Sequence, residues 1–278
     1  MKNPSKLAAE FMAKGKSATC PIYDMHCHFG DANCIYFPNR TAETMAATMD
    51  RCGVKMLFFV SHASLLDPER GNPLNAAVVR KCPSRMRAYW SINPNYPKVI
   101  ARDLKGFARH RREFVGFKFL ADYHRYPIDG ENYRPVLEYA NEHKLMILIH
   151  TWGGSAYDSP KHVERIAAKH PDVVMLMGHS GSGEWDYSCK VAREHPNVYL
   201  ELTGVLHPPG VIEKLVAGAG SHKMLFGTDL PWFDPHYTTG CILFADITDA
   251  DRRNIFHRNA ERILQGRLDR NEKRLYNM

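Results

Sequence analysis

Apolar residues along the chain fall into short, nearly unbroken runs, separated by longer stretches where they recur every three or four positions. Val54 to Val60, Leu145 to Ile149 and Val173 to Met177 are runs of this kind. Runs without polar alternation suit parallel strands buried on both faces. Such strands end near His28, His62, Asn93, Phe119, His150, His179, Thr203 and Thr228. The stretches between them read as helices. Thr41 caps one that Gly53 stops. Others run from Tyr133 to His143 and from Pro160 to His170, where Pro171 ends the segment. A last helix spans Thr248 to Leu264, opened by Thr248-Asp249-Ala250-Asp251, a capping box with Asp in place of Glu.

Eight strands alternating with helices form the pattern of a (β/α)8 TIM barrel. The rival, a doubly wound open sheet, advertises a Gly-rich phosphate turn after its first strand, and none is present. No repeat or linker divides the chain, so 1–278 reads as one barrel domain. Residues 1–19 form an N-terminal extension, read as a frayed helix or strap over the barrel's mouth or base, and 266–278 form a basic tail.

A barrel of this type builds its site at the C-terminal ends of the strands, and there each strand delivers a polar group. In order these are Asp24, His26 and His28; His62; Asn93; Lys118; His150; His179; Glu201 and Thr203; and Asp229. The first set lies in Asp24-Met25-His26-Cys27-His28. In a regular strand, residues two apart point the same way. Asp24, His26 and His28 would then share one face, with Met25 and Cys27 on the other. Two neutral imidazoles so arranged can hold a divalent metal. The pentapeptide alone equally fits a half-buried edge strand.

Composition adds limits. The chain is 44% hydrophobic and 24% charged, ordinary for a globular protein. No apolar run nears the roughly 18–20 residues that span a bilayer, and the N-terminus lacks a secretory apolar core. Seven cysteines without a Cys-x-x-Cys pair argue against a disulfide framework and for a reducing cytoplasm. The net charge of +7 is spread out, and its densest runs carry no nucleic-acid motif. These runs read as a solvated face, with a small anionic substrate drawn to a positive mouth left open, and neither a nucleic acid nor a membrane is expected as a partner.

In family order from about residue 20 to 265, the chain resembles the amidohydrolase superfamily, in its amidohydrolase-related branch. The matching elements are Asp24-x-His26-x-His28, Gly116-Phe117-Lys118, Leu148-Ile149-His150-Thr151, Gly178-His179-Ser180-Gly181, Gly227-Thr228-Asp229-Leu230-Pro231 and the late Asn259 to Leu264 helix. The resemblance implies that His26, His28, His150 and Asp229 hold one divalent ion, Zn first and Mn second. It further implies that Asp229 takes a proton from the metal's water, assisted by His179. Lys118 would either meet a substrate carboxylate or, as a carboxylated lysine, bridge two metals; the local pattern resembles the first group more. Glu201 would orient a histidine or pair with Lys118, and Asp24 would act behind the ligands. Trp152 and Arg125, with Arg134 as an alternative, are candidates for substrate contact, and His62, Asn93, Tyr157, Trp185 and Trp232 lie in or beside the same loops.

The leading expectation is hydrolysis of an ester, lactone or amide in a small, carboxylated molecule. The alternative is non-oxidative decarboxylation of an aromatic or muconate-like acid on the same metal. A catalytically silent barrel is the third. Similar barrels are commonly oligomeric, which leaves a homo-oligomer open.

Overall fold

A computed structural model describes residues 5–32, 35–204 and 208–265. The expected basic tail, 266–278, lies outside them. Eight parallel strands follow one another around the sheet in chain order. They are β1 (Ile22–Phe29), β2 (Val54–Ser61), β3 (Met86–Ile92), β4 (Phe114–Phe119), β5 (Met146–Trp152), β6 (Val174–Ser182), β7 (Val198–Glu201) and β8 (Met224–Leu225). β8 is two residues long, and the segment beyond it closes the ring: the Met25 and His28 N–H groups donate to Phe226 and Leu230 carbonyls at 2.9 and 2.6 Å. The arrangement is the (β/α)8 barrel that the apolar runs predict.

Apolar side chains divide into two buried sets. Met56, Phe58, Leu148 and Leu176 form the inner one, while Leu57, Phe59, Ile147, Ile149 and Met177 pack outward against the helices. The helices begin and end where local chemistry dictates. Thr41 and Thr44 form a reciprocal capping box before Ala42–Cys52, and Gly53 closes that helix at φ +87°.

One expectation about the fold needs correction, the regular alternation along β1. β1 is not regular: Asp24 pairs with Leu57 but Cys27 with Phe59, so three steps on β1 oppose two on β2. This bulge breaks the alternation. Met25 therefore joins the inner set, with Tyr89 donating to its carbonyl at 3.0 Å, and does not share the outward side with Cys27. Asp24 turns to the segment after β8 and does not share the face of His26 and His28. The last helix runs without a break from Asp249 to Leu264, as expected, but it widens in the middle. Asp249–Arg253 and Asn259–Leu264 are joined by a π-turn over Asn254–Arg258. The wider turn frees the Ile255 carbonyl, which accepts from Phe226 N–H at 3.2 Å beside the strand end. Finally, the N-terminal segment is a capped helix, Lys6–Lys14, with Ser5 Oγ donating to Asp249 Oδ1 at 2.5 Å.

Candidate metal centre

Beyond the β1 bulge, His26 and His28 project together, with ring centroids 5.3 Å apart. His26 is fully buried, and Glu201 Oε2 lies 2.8 Å from its Nδ1. The other carboxylate oxygen, Oε1, already accepts from Thr203 N–H at 2.8 Å and Oγ–H at 2.6 Å. A carboxylate so engaged accepts from an Nδ1–H, which leaves the His26 Nε2 lone pair turned to the cavity. Gly178 makes room for this ring: a Cβ there would stand 3.3 Å from His26 Cε1 and 2.7 Å from the Ile149 carbonyl.

Asp229 faces both imidazoles from the turn after β8. Its Oδ1 is 2.9 Å from His28 Nε2 and 3.6 Å from His26 Nε2. The approach is close but misaligned, since Oδ1 makes no hydrogen bond of proper geometry, and buried His28 Nδ1 has none among the described residues. Asp229 sits at φ +63° and His179 at φ +60°, left-handed conformations that non-glycine residues rarely hold. Asp24 supports the Asp229 turn from behind, accepting from Thr228 N–H at 3.1 Å and Oγ–H at 2.6 Å.

The row of imidazoles continues across the mouth. His179 lies 5.2 Å from His26, and His150 lies 4.8 Å from His179, measured between ring centroids. His179 Nδ1–H donates to the Thr203 carbonyl at 3.0 Å, so its Nε2 is the free acceptor. His150 Nδ1 is held by Asp158 Oδ2 at 3.1 Å. Asp158 is fully buried and gave no signal in the sequence, because Asp158-Ser159-Pro160 reads as the start of a helix. Lys118, 1% exposed, ends with Nζ 3.0 Å from His26 Nε2.

The charges are concentrated. Burial pushes the Asp24 carboxyl up to about 7 and that of Glu201 up to about 8, against the hydrogen bonds each accepts. Burial also lowers Lys118 to about 8 and His179 to about 3. Burial would raise Asp229 as well, but the facing imidazoles of His26 and His28 outweigh it and hold this carboxyl well below the usual range. Three buried acidic side chains, Asp24, Asp158 and Glu201, and the half-buried Asp229 thus share this centre with one buried lysine, Lys118.

A divalent cation fits such a centre. The ligand atoms of His26, His28 and Asp229 all lie within 4.8 Å of one another, and one carboxylate oxygen among them lacks a donor. His150 is brought alongside but not into that group of three. Above them opens a cavity of about 1140 Å³, with Trp152 on one wall, His62 and Trp232 on another, and Lys118 at its floor. Arg125 does not reach it. That exposed residue ends the short helix Ala121–His124, while Arg134 pairs with Glu131 on the surface. Asn93 serves the backbone, donating to the Leu66 carbonyl at 3.1 Å. No helix among the described residues is long and apolar enough to cross a membrane.

Comparison with known proteins shows the family and the fold. The amidohydrolase family model matches residues 23–266. No curated protein matches the chain by sequence. Among solved structures, a TIM-barrel protein from Bordetella bronchiseptica superposes with a TM-score of 0.74 at 18% identity, covering 89% of this chain and 99% of that one. A 2,6-dihydroxybenzoate decarboxylase bound to 2,6-dihydroxybenzoate gives 0.69 at 15% identity, with 88% and 99% covered. A 5-carboxyvanillate decarboxylase from Novosphingobium aromaticivorans, with manganese and a nitrobenzoic acid, gives 0.68 at 15%, with 89% and 96% covered. At these identities the likeness is one of fold.

Proposed function

The chain belongs to the amidohydrolase family, and from that premise we propose that it is a metal-dependent, non-oxidative decarboxylase of an aromatic or muconate-like acid. We read it as one barrel domain. The observation that carries the proposal is Lys118, a buried cation at the floor of an aromatic-walled cavity, in contact with the imidazole that faces Asp229. A floor of this kind suits a substrate that arrives with a carboxylate. The dihydroxybenzoate and carboxyvanillate decarboxylases of the same fold act on such acids.

His26, His28 and Asp229 would hold the ion, manganese or zinc, with His150 as a fourth ligand. When bound, the ion supplies the positive charge that anchors the acid's oxygens and offsets the buried carboxylates. The other roles belong to the chain. Lys118 binds the carboxylate, and Trp152 and Trp232 flank the ring and exclude water. His179, neutral and with Nε2 free, accepts from a ring hydroxyl. Asp229 is ionised at rest and takes up one proton from solvent as the acid binds. That proton passes to the ring carbon bearing the carboxylate, the carbon–carbon bond breaks, its electron pair returns to the ring, and carbon dioxide leaves. Transfer of that proton leaves Asp229 ionised, as it was at rest, for the next turnover.

The same groups suit hydrolysis, with Asp229 accepting a proton from water. The test is a panel of hydroxybenzoates, carboxyvanillate, esters and lactones offered to the manganese- and zinc-loaded protein. Carbon dioxide release, with one solvent deuteron at the vacated carbon, is expected. Ester or lactone cleavage without carbon dioxide from any acid would overturn the proposal.

A further inference from the structure

His62 itself has no part in the proposed chemistry, but it touches two residues that do, His28 and Trp232. It follows β2 and opens the short helix His62–Leu66. Its Nδ1 lies 2.8 Å from the Gly30 carbonyl. A carbonyl only accepts, so Nδ1 carries the hydrogen and Nε2 is a lone pair. That lone pair receives the Trp232 indole N–H at 3.0 Å. Both ring nitrogens are therefore spent, and neither is left for a metal or a proton transfer.

Both ring faces are covered too. His62 stacks on His28 at 5.0 Å and 17°, and on Phe37 at 5.6 Å and 11°. Trp232 stands edge-on to His62 and to Phe37, at 6.0 and 4.8 Å. Burial keeps the imidazole neutral, lowering it to about 4. The partners come from separate parts of the barrel mouth. Gly30 is two residues past His28. Trp232 is three residues past Asp229, and its backbone N–H donates to the Asp229 carbonyl at 2.7 Å.

We infer that His62 is a positioning residue that locks His28 and Asp229 into one arrangement, by stacking on His28 and by holding Trp232 through the indole hydrogen bond. The inference rests on the metal reading given above. His28 keeps its ring plane because it is sandwiched on one side, and the Asp229 turn keeps its place because its tryptophan is tied to another strand end. A partner behind a ligand changes metal affinity by about 10–100-fold in comparable sites.

The test is calorimetric titration of the metal-free protein with manganese chloride, and separately with zinc chloride. Trp232→Phe removes the N–H donor and keeps a smaller aromatic ring, and His62→Phe keeps the stack but removes both hydrogen bonds. Each single variant is expected to bind about tenfold more weakly. The double variant is expected to match the weaker single variant, because both changes break one connection. Leu74→Ala, on the cavity rim, is expected to keep wild-type affinity. Circular dichroism and thermal unfolding verify the fold; where His62→Phe does not fold, His62→Leu takes its place in the cycle.

Single variants with wild-type affinity would overturn the inference, as would losses that multiply in the double variant. A wild-type protein that binds neither metal would overturn it together with the metal reading. Wild-type binding with unmoved variants overturns the role of His62 alone.

Discussion

Glu201 Oε2 stands 2.8 Å from His26 Nδ1, and this contact decides which nitrogen of His26 faces the cavity. Were Nδ1 free to turn outward, the row of imidazoles would lose its first common direction. β7 contributes the carboxylate and β1 the ring, so the pairing exists only once the barrel has closed.

Replacing that carboxylate should therefore act on the metal before it acts on substrate. Glu201→Gln keeps the shape and replaces the carboxyl group at His26 Nδ1 with an amide. Manganese or zinc affinity is expected to fall about 10–100-fold, measured by equilibrium dialysis with elemental analysis. Unchanged affinity would show that Glu201 does not orient His26.

Lys118→Met separates substrate binding from metal binding. A hydrogen bond to a charged group contributes about 1.5–3 kcal/mol, so kcat/KM for carboxylated substrates should fall roughly 10–100-fold. Metal content should hold, and the melting temperature should hold or rise, because a buried charge gives way to a well-packed apolar chain. Loss of metal in this variant would point to the metal-bridging role instead.

Asp24 has a structural role that denaturation can read. Asp24→Ala leaves the Thr228 N–H and hydroxyl without their acceptor in the core. An orphaned buried donor costs about 1–3 kcal/mol. A loss of about 2 kcal/mol or more in urea is expected, and adding Thr228→Val to Asp24→Ala should recover part of it. A fully additive double variant would contradict the pairing.

Far from the cavity, Lys223 gives a pH signature. Burial, helped by Arg262, lowers its ammonium to about 8, while its Nζ donates to the His195 and Pro196 carbonyls at 3.0 Å each. Between about pH 8 and 10.5 the unfolded lysine keeps a proton that the folded one sheds. Stability rises with pH wherever the unfolded state binds more protons. Wild-type stability relative to Lys223→Met should therefore climb across that window in pH-dependent thermal melts. A flat or falling difference would contradict the depressed ammonium.

The sequence by itself determined the barrel and the place of its site. Eight apolar runs without alternation demand parallel strands covered on both faces, and polar residues at their ends mark the catalytic mouth. His26, His28, His150, His179 and Asp229 were legible because each sits at such an end. Other features needed the tertiary structure. The β1 bulge turns Asp24 from its histidines to Thr228, which strict alternation could not foresee. Asp158, eight residues beyond His150, reaches it only by the path of the loop, and Arg125 is carried away from the cavity by the same kind of path. His62 reads from the sequence as a candidate for substrate contact, but in the structure both its nitrogens and both its faces are occupied. Burial patterns are periodic and so can be read along one strand. Which nitrogen faces the cavity, and which carboxylate stands behind it, depends on partners from other strands and loops, and closure of the barrel alone brings them together.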